Sequence, residues 1–476
     1  MESALAPAAP AAGRPIRPAT TGPQSPSQLS PSQLAPTRQP LRAEPPVALG
    51  LIAAGAVATI GLWWVNTPYI SGFGDWVTSA GRITGLLAGY AVVILVALMA
   101  RLPPLENGLG ADRLARWHSM GGRYTVCLIV AHGLLITWGY AFTAHTNVVH
   151  QGWTLLRSYP DVLAGSVAGL LFVGVGVSSM RAARRKLAYE TWYYLHFYTY
   201  LAIALAFSHQ FANGAEFMTN QAARIFWAAL YIAVFGALIW YRIIGPLVKN
   251  SRHRLRVVSV VAESPTALSV LVTGDHLEEL AAQPGQFFRW RFLTKGMWWA
   301  SNPYSLSAPA DPRMLRFTVK YLGDHSRALA RLTPGTRVFA EGPYGTFTGQ
   351  RRTQRRVLLI AAGVGITPLR ALYESIWAWP GELALIYRES DEREVLFRRE
   401  LEAIAASRHA KLDIIVGSRA RLGGDPLSAQ SLARIPGLAD NDVYVCGPDA
   451  METTVMSALR SLGVPRRQIH TESFTF

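Results

Sequence analysis

The sequence predicts a multidomain membrane protein: a six-helix transmembrane bundle, then an antiparallel β-barrel domain, then an α/β Rossmann-like domain. Three observations predict it. Six apolar segments lie between residues 47 and 245, each near the roughly 20 residues that a helix needs to cross a bilayer. Short β-rich runs punctuated by Gly and Pro begin near residue 250. A strand, a Gly-rich turn and a helix open at 357, with further βα-like units behind them. The divisions that follow are 1–45, 46–247, 250–352 and 353–476.

Composition agrees with that division. Half of the 476 residues are apolar and the net charge is +16. Mean hydropathy is +0.18, high for a soluble protein. The positive balance suits an anionic membrane surface or phosphorylated cofactors; nucleic acid is not an expected partner of a six-span chain. Cys127 and Cys446 are the only cysteines, so no disulfide framework, zinc site or iron–sulfur cluster is expected. Residues 1–45 are rich in Pro, Ala, Ser and Gln and repeat "SPSQL". Such a composition cannot bury a core and reads as a disordered tail. It lacks the charged start and short apolar core of a usual signal peptide.

The six spans are roughly 47–66, 77–100, 117–143, 160–180, 191–211 and 223–245. Arginine and lysine cluster before the first, between the second and third, and after the fourth and sixth, at Arg42, Arg113, Lys186 and Lys249 among others. By the positive-inside rule these are the cytoplasmic sides. The expected location is therefore the plasma (inner) membrane, with the N-terminus and everything after 245 in the cytoplasm.

Four histidines fall in two spans that run in the same direction. His118 and His132 lie in span three, His196 and His209 in span five. Separations of fourteen and thirteen residues are about 21 and 20 Å along a helix, so the two pairs share two depths. Neutral imidazole is a good ligand for haem iron, and two axial imidazoles make a six-coordinate electron-transferring centre. Intramembrane ionisable residues are costly and usually functional. Two b-type haems are the expectation. Fourteen residues leave two side chains about 40° apart around a helix, but thirteen leave them about 140° apart. Span five therefore needs a kink, a π-bulge or a rotated approach. Gly121 and Gly122, just after His118, suit close approach of a flat macrocycle or of another helix.

In the soluble half the β-rich runs are 254–263, 267–274, 285–292, 314–323 and 336–345, which suggests an antiparallel barrel of about six strands. In "VLLIAAGVGITPLRALYESI", Gly363 and Gly365 free backbone N–H groups at a helix start for a phosphate. The pattern is GxGxxP rather than GxGxxG, and is weak by itself.

The ordered series "NPYSLSAP" (302–309), "GPYG" (342–345), "GVGITP" (363–368), "CGPDAM" (446–451) and a terminal Phe resembles the ferredoxin–NADP reductase superfamily. With the six-span, four-histidine segment in front, residues 47–476 resemble the ferric reductase/NADPH oxidase family in a bacterial-looking form. The resemblance implies FAD on Tyr304, Ser305 and Ser307, with Ser305 beside the reactive ring nitrogen. Asn302 stands where many relatives have Arg, so His325, Ser326 and Arg327 are the candidates for the pyrophosphate side; a solvated loop is the alternative for His325 and Arg327. It implies the nicotinamide dinucleotide on Gly363, Gly365, Thr367 and Pro368, with Cys446, Gly447 and Pro448 beside the nicotinamide. Cys446 as a small packing residue is the alternative. Phe476 resembles the aromatic that stacks on the flavin. Ser418 and Arg419 are candidates for a 2′-phosphate, which favours NADPH with NADH possible.

The resemblance implies that electrons pass from NAD(P)H through FAD to an inner haem (His118/His196), an outer haem (His132/His209) and an acceptor outside. Ferric chelate and O2 are the candidate acceptors; a membrane subunit that feeds a protein partner or quinone is the alternative. Arg82 is a candidate for a haem propionate or an anionic acceptor, against simple snorkelling to the interface. His145 and His150 are weaker candidates for a metal substrate. Oligomeric state is not readable.

Overall fold

The computed structural model describes residues 43–472 apart from 68–69, 185, 188, 215–216 and 218–219. Phe476, Phe474 and most of the predicted tail lie outside the described residues. The first half is helical: α1 (Pro45–Asn66), α2 (Phe73–Met99), the short α3 (Pro103–Leu109), α4 (Ala111–Thr143), α5 (Val148–Ser158), α6 (Val162–Ser178), α7 (Tyr189–Asn213) and α8 (Gln221–Ile239). Among the described residues, four helical stretches are long and apolar enough to cross a membrane: Pro45–Asn66, Phe73–Met99, Arg113–Thr143 and Gln221–His253. A fifth span results if α5 and α6, which meet at a 115° bend, count as one. α7 is 25 residues long but is not among them. Its Tyr193, Tyr194, Tyr198, Tyr200, His196 and His209 dilute its apolar content. Leu51, Val57, Leu134, Leu170 and Ile232 are largely exposed on this half, as lipid-facing side chains are.

The strongest helix pairings are α2 with α4 and α6 with α7. Glycine makes the first possible. A Cβ at Gly81 would stand 2.9 Å from the Ile136 backbone nitrogen, and one at Gly139 2.7 Å from that of Thr78. Small residues let two backbones approach where lipid gives no hydrophobic drive.

The last helix does not stop at 245, the predicted end of the sixth span. It passes through a π turn at Trp240–Ile244 into α9 (Gly245–His253). Pro246 has no N–H to offer the preceding turn, which accounts for the local widening. α9 then docks on the soluble half. Asn250 Nδ2 donates to the Ala340 carbonyl at 2.8 Å, and its Oδ1 accepts from Ala340 N–H at 2.8 Å.

Six strands follow: β1 (Arg256–Ser264), β2 (Ala267–Thr273), β3 (Phe287–Phe292), β4 (Asn302–Ser305), β5 (Leu315–Lys320) and β6 (Val338–Tyr344). They form two three-stranded antiparallel sheets, β1-β2-β5 and β4-β3-β6. Isolated bridges at Arg256–Arg337 and Leu306–Phe317 join them. A shared core fills the space between, with Trp290, Phe292, Leu306 and Phe317 fully buried. The fourth strand comes from "NPYS", which the sequence reading treated as a motif rather than a strand.

The remainder is a five-stranded parallel sheet ordered β11-β10-β7-β8-β9, from β7 (Arg356–Ala362), β8 (Leu383–Glu389), β9 (Lys411–Val416), β10 (Asn441–Cys446) and β11 (Ile469–Thr471). Its central strands are buried on both faces, as their unbroken apolar runs require.

Candidate functional site: two histidine pairs and a cleft at the helix ends

α4 and α7 bring the four histidines together in two pairs. The rings of His118 and His196 have centroids 5.9 Å apart, and those of His132 and His209 6.3 Å. His118 Nδ1 lies 3.1 Å from the Leu95 carbonyl, His132 Nδ1 2.8 Å from that of Gly81 and His209 Nδ1 3.1 Å from that of Asp161. A carbonyl only accepts, so Nδ1 carries the proton in each and Nε2 keeps its lone pair. A carbonyl on Nδ1 orients a histidine ligand in the same way in metal sites. An imidazole nitrogen sits about 2 Å from a bound first-row metal, and ring centroids 5.9 and 6.3 Å apart are compatible with one ion held between two rings. Residues and spacing therefore fit a bis-imidazole haem at each depth. His196 differs: its Nδ1 is buried without a hydrogen-bond partner, and Trp192 packs on its ring at 5.3 Å.

α7 is continuous α-helix through both histidines, so no π-bulge reconciles their thirteen-residue spacing. Both of its rings still meet partners on α4. The π turn lies in the last helix instead. Two glycines make room for the outer pair. A Cβ at Gly85 would stand 2.6 Å from His132 Nδ1, and one at Gly165 2.5 Å from His209 Cγ. Sequence reasoning missed both, although Gly81, Gly85 and Gly89 recur every fourth residue along one helix face. Gly121 serves a helix contact, its Cβ position lying 2.9 Å from Leu95, while Gly122 has open space. Arg82 stands next to Gly81 on α2, half-buried, and its charge acts on Asp75.

Beyond the inner pair a cavity of about 800 Å³ opens between the helix ends and the sheets. Leu98, Met99, Ala115 and Arg242 form its membrane side, Tyr304, Ser305 and Arg289 its sheet side, and Val364 and Thr367 the nucleotide turn. Ser326 and His325 close another edge. Ala115 is three residues before His118, about one helical turn. Tyr304 stacks on Phe317 at 5.4 Å and 8°, which fixes its ring at the cavity wall. Burial lowers the pKa of His325, so it is neutral, and its Nε2 is buried without a hydrogen-bond partner.

Some expected ligands are committed elsewhere. The Ser307 hydroxyl is fully buried and accepts from Thr318 Oγ1 at 2.8 Å; it does not line the cavity. Ser326 Oγ donates to the Gly323 carbonyl and accepts from the N–H groups of Leu322 and Gly323, so its hydroxyl caps its own turn. Arg327 is exposed and outside the cavity lining.

The nucleotide turn is built as its glycines suggest. Gly363 has φ +55°, in the left-handed region. A side chain at Gly365 would collide with the Cys446 carbonyl. Thr367 and Pro368 are buried in the first turn of the following helix (Ile366–Ser375), where Thr367 Oγ1 donates to the Val364 carbonyl at 2.9 Å. Gly447 and Pro448 follow β10 directly across from it. Cys446 is fully buried, and burial pushes its thiol well up. Its Sγ donates to the Glu472 carbonyl at 3.4 Å, so it packs as a neutral thiol. Ser418 and Arg419 follow β9 at the exposed edge, where Arg419 Nη2 pairs with Asp425 at 2.9 Å. Glu389, unnoticed in the sequence, ends β8 with Oε2 3.8 Å from a Cβ position on Gly363.

Comparison with known proteins agrees with this division of labour. Residues 84–207 match the family model "Ferric reductase like transmembrane component". Residues 359–457 match "Oxidoreductase NAD-binding domain". Ferredoxin–NADP reductase B of Sorangium cellulosum is 32% identical over 187 residues, covering 36% of this chain and 77% of that one.

The chain is a ferric-reductase-like transmembrane component fused to a ferredoxin–NADP reductase-like FAD/NAD module.

It is thus a membrane oxidoreductase with an FAD- and NAD(P)-binding module. The fused module is also similar to the ferredoxin reductase component of 3-ketosteroid-9-alpha-monooxygenase from Mycolicibacterium smegmatis, 32% identical over 236 residues and 46% of this chain. The fusion spans 65% of that relative's length. The FAD/NAD-binding domain of nitric oxide dioxygenase from Vibrio cholerae aligns over 46% of this chain and 98% of its own at 25% identity, with a TM-score of 0.38.

Proposed function

We propose that this oxidoreductase carries electrons across the membrane from cytoplasmic NAD(P)H, through FAD and two b-type haems, to a ferric chelate or O2 on the far side. The observation that carries the proposal is the cavity, which touches the nucleotide turn at Val364 and Thr367 and the α4 residue Ala115, one turn from His118. When bound, FAD exchanges a hydride for single electrons, and haem iron passes them one at a time.

The chain's own residues do the positioning. Tyr304 and Ser305 hold the flavin ring, and the backbone of 363–367 receives the dinucleotide phosphate. His118 and His196 hold the inner haem, His132 and His209 the outer one. The Leu95, Gly81 and Asp161 carbonyls keep three of those rings in the ligating tautomer. On this reading six helices cross the bilayer, α6 and α7 included, with the N-terminus inside. Arg82, His145 and the α5 residue His150 face the acceptor side. The similarity to a reductase component of a monooxygenase favours a second reading, in which a protein partner takes the electrons.

The test is an anaerobic optical titration of the purified chain with NADPH. A six-coordinate b-type spectrum with two haems per FAD, reduced by NADPH, supports the proposal. No haem, or one per chain, refutes the two-pair arrangement. Ferric chelate and O2 reduction rates on the same sample then rank the acceptors.

A further inference from the structure

Arg101 follows α2 at the inner end of the membrane half, and its backbone has φ +60°. That is the left-handed region, which a non-glycine residue enters at a cost and keeps only where its surroundings over-determine it. Its surroundings do. The guanidinium lies 4.2 Å from the centroid of the Tyr344 ring, and Nη1 is 3.7 Å from Glu341 Oε2. The side chain is only 13% exposed. At that separation the carboxylate is an ion-pair partner but not a hydrogen-bond acceptor, and Nη1 is buried with no hydrogen-bond partner among the described residues. A buried donor left unpaired is destabilising. Arg101 also lines the cavity. Strain, burial and an open donor thus coincide on one residue of the cavity wall.

The sheet register says which end of the cavity this is. Phe287 on β3 pairs with Tyr344 on β6 and with Ser305 on β4. Neighbouring strands are about 4.8 Å apart, so Tyr344 sits about 10 Å from Ser305 across one intervening strand. Ser305 is the residue assigned to the flavin ring. We infer that Arg101, delivered by the membrane half, completes the flavin site by donating from its open Nη1 to an acceptor oxygen at the ring end of FAD. The inference rests on the flavin reading of the cavity. It makes the membrane half a part of the flavin site, so FAD binding senses how the two halves are docked.

Full-length protein in lipid nanodiscs, stripped of FAD, tests this. Arg101→Gly removes the guanidinium while putting at φ +60° the residue that tolerates it best. Expected is an FAD dissociation constant weakened about tenfold or more, the loss of one charge-assisted hydrogen bond. The melting temperature of the FAD-free protein should stay unchanged or rise. Affinity for ADP, which lacks the ring, should not change. Glu341→Gln keeps the guanidinium and should bind FAD as the wild type does. Wild-type affinity in Arg101→Gly overturns the inference, as does a parallel loss of FAD affinity in Glu341→Gln or a matching loss of ADP affinity. If the wild-type protein itself takes up no FAD, the flavin reading falls first and the inference with it.

Discussion

Gly85 of α2 faces the ring of His132 of α4 so closely that a Cβ would stand 2.6 Å from Nδ1. That nitrogen already meets the Gly81 carbonyl one turn away. An added methyl cannot share the space, so Gly85→Ala must rotate the ring or part the helices. Expected is loss of the outer haem with the inner one retained: one haem per FAD by pyridine haemochrome assay. Gly165→Ala should do the same through His209. Gly122→Ala, where the space is open, should keep both.

Each histidine can be tested singly. His196→Ala should remove the inner haem and stop NADPH-driven reduction of the outer one, while flavin reduction by NADPH persists. His209→Ala should leave the inner haem reducible. The contrast between the two, followed by stopped-flow absorbance, fixes the order of electron flow. If either variant loses both haems, the pairs do not act at separate depths.

Glu400 links the flavin-side sheet to the nucleotide unit. Glu400, on the helix Arg398–Arg408, accepts from Arg316 Nη1 at 2.8 Å and Nη2 at 2.9 Å, and pairs with Arg370 at 2.8 Å. Arg316 belongs to the flavin-side sheet and Arg370 to the nucleotide unit. Burial alone would raise the Glu400 pKa, but hydrogen bonding and charge from Arg316 and Arg370 hold it below the usual range. Glu400→Gln should cost about 1–2 kcal/mol, discounted for its partial exposure. Hydride transfer from NADPH should slow with FAD content unchanged, which a flavin-bleaching transient measures.

Domain order, the four histidines and the glycine turn were legible in the sequence because each is a short-range pattern. Helix-length apolar runs, paired spacings and GxG turns are written within 30 residues of themselves. What was not legible joins distant segments. Arg101 meets Glu341 and Tyr344 from the other half of the chain, and no local pattern announces it. Ser326 matched a ligand motif, yet its hydroxyl closes its own turn, a competition common for Ser in loops. The thirteen-residue spacing of His196 and His209 conflicts with a regular helix only if both rings leave one helix face. Across a gap between helices the rings can approach from different sides, and α7 needs no break.

Acid sensitivity should centre on Asp442. It is fully buried on β10, accepts from Thr353 N–H at 2.5 Å and from Gln354 N–H, and meets His470 Nε2 at 2.9 Å. Burial would raise its pKa, but the His470 hydrogen bond and the two backbone donors outweigh that and lower it. A carboxyl depressed by folding stabilises above its unfolded value of about 3.9, and loses that contribution as pH falls through the folded value. The nucleotide unit should therefore hold its stability down to about pH 4 and lose it below. Asp442→Asn should destabilise it by about 3 kcal/mol at neutral pH and flatten the acid limb, as thermal unfolding against pH would read.

Coenzyme choice sets Arg419 against Glu389. Arg419 is exposed and its pair with Asp425 is a surface ion pair, worth about 1 kcal/mol or less. Diverting the guanidinium to a 2′-phosphate therefore costs little, and its fork matches phosphate geometry. Glu389 sits beside Gly363 with its carboxylate on the N–H and hydroxyl of Ser390. An acidic group at the end of the second strand suits a free ribose 2′-hydroxyl instead. If Arg419 decides, Arg419→Ala should raise KM for NADPH about tenfold and leave KM for NADH unchanged. Asp425→Asn, which frees the guanidinium, should lower KM for NADPH. If Glu389 decides, Glu389→Gln should weaken NADH alone. Equal losses for both coenzymes in Arg419→Ala would remove Arg419 from the 2′-phosphate site, and steady-state kinetics with the two coenzymes separates these outcomes.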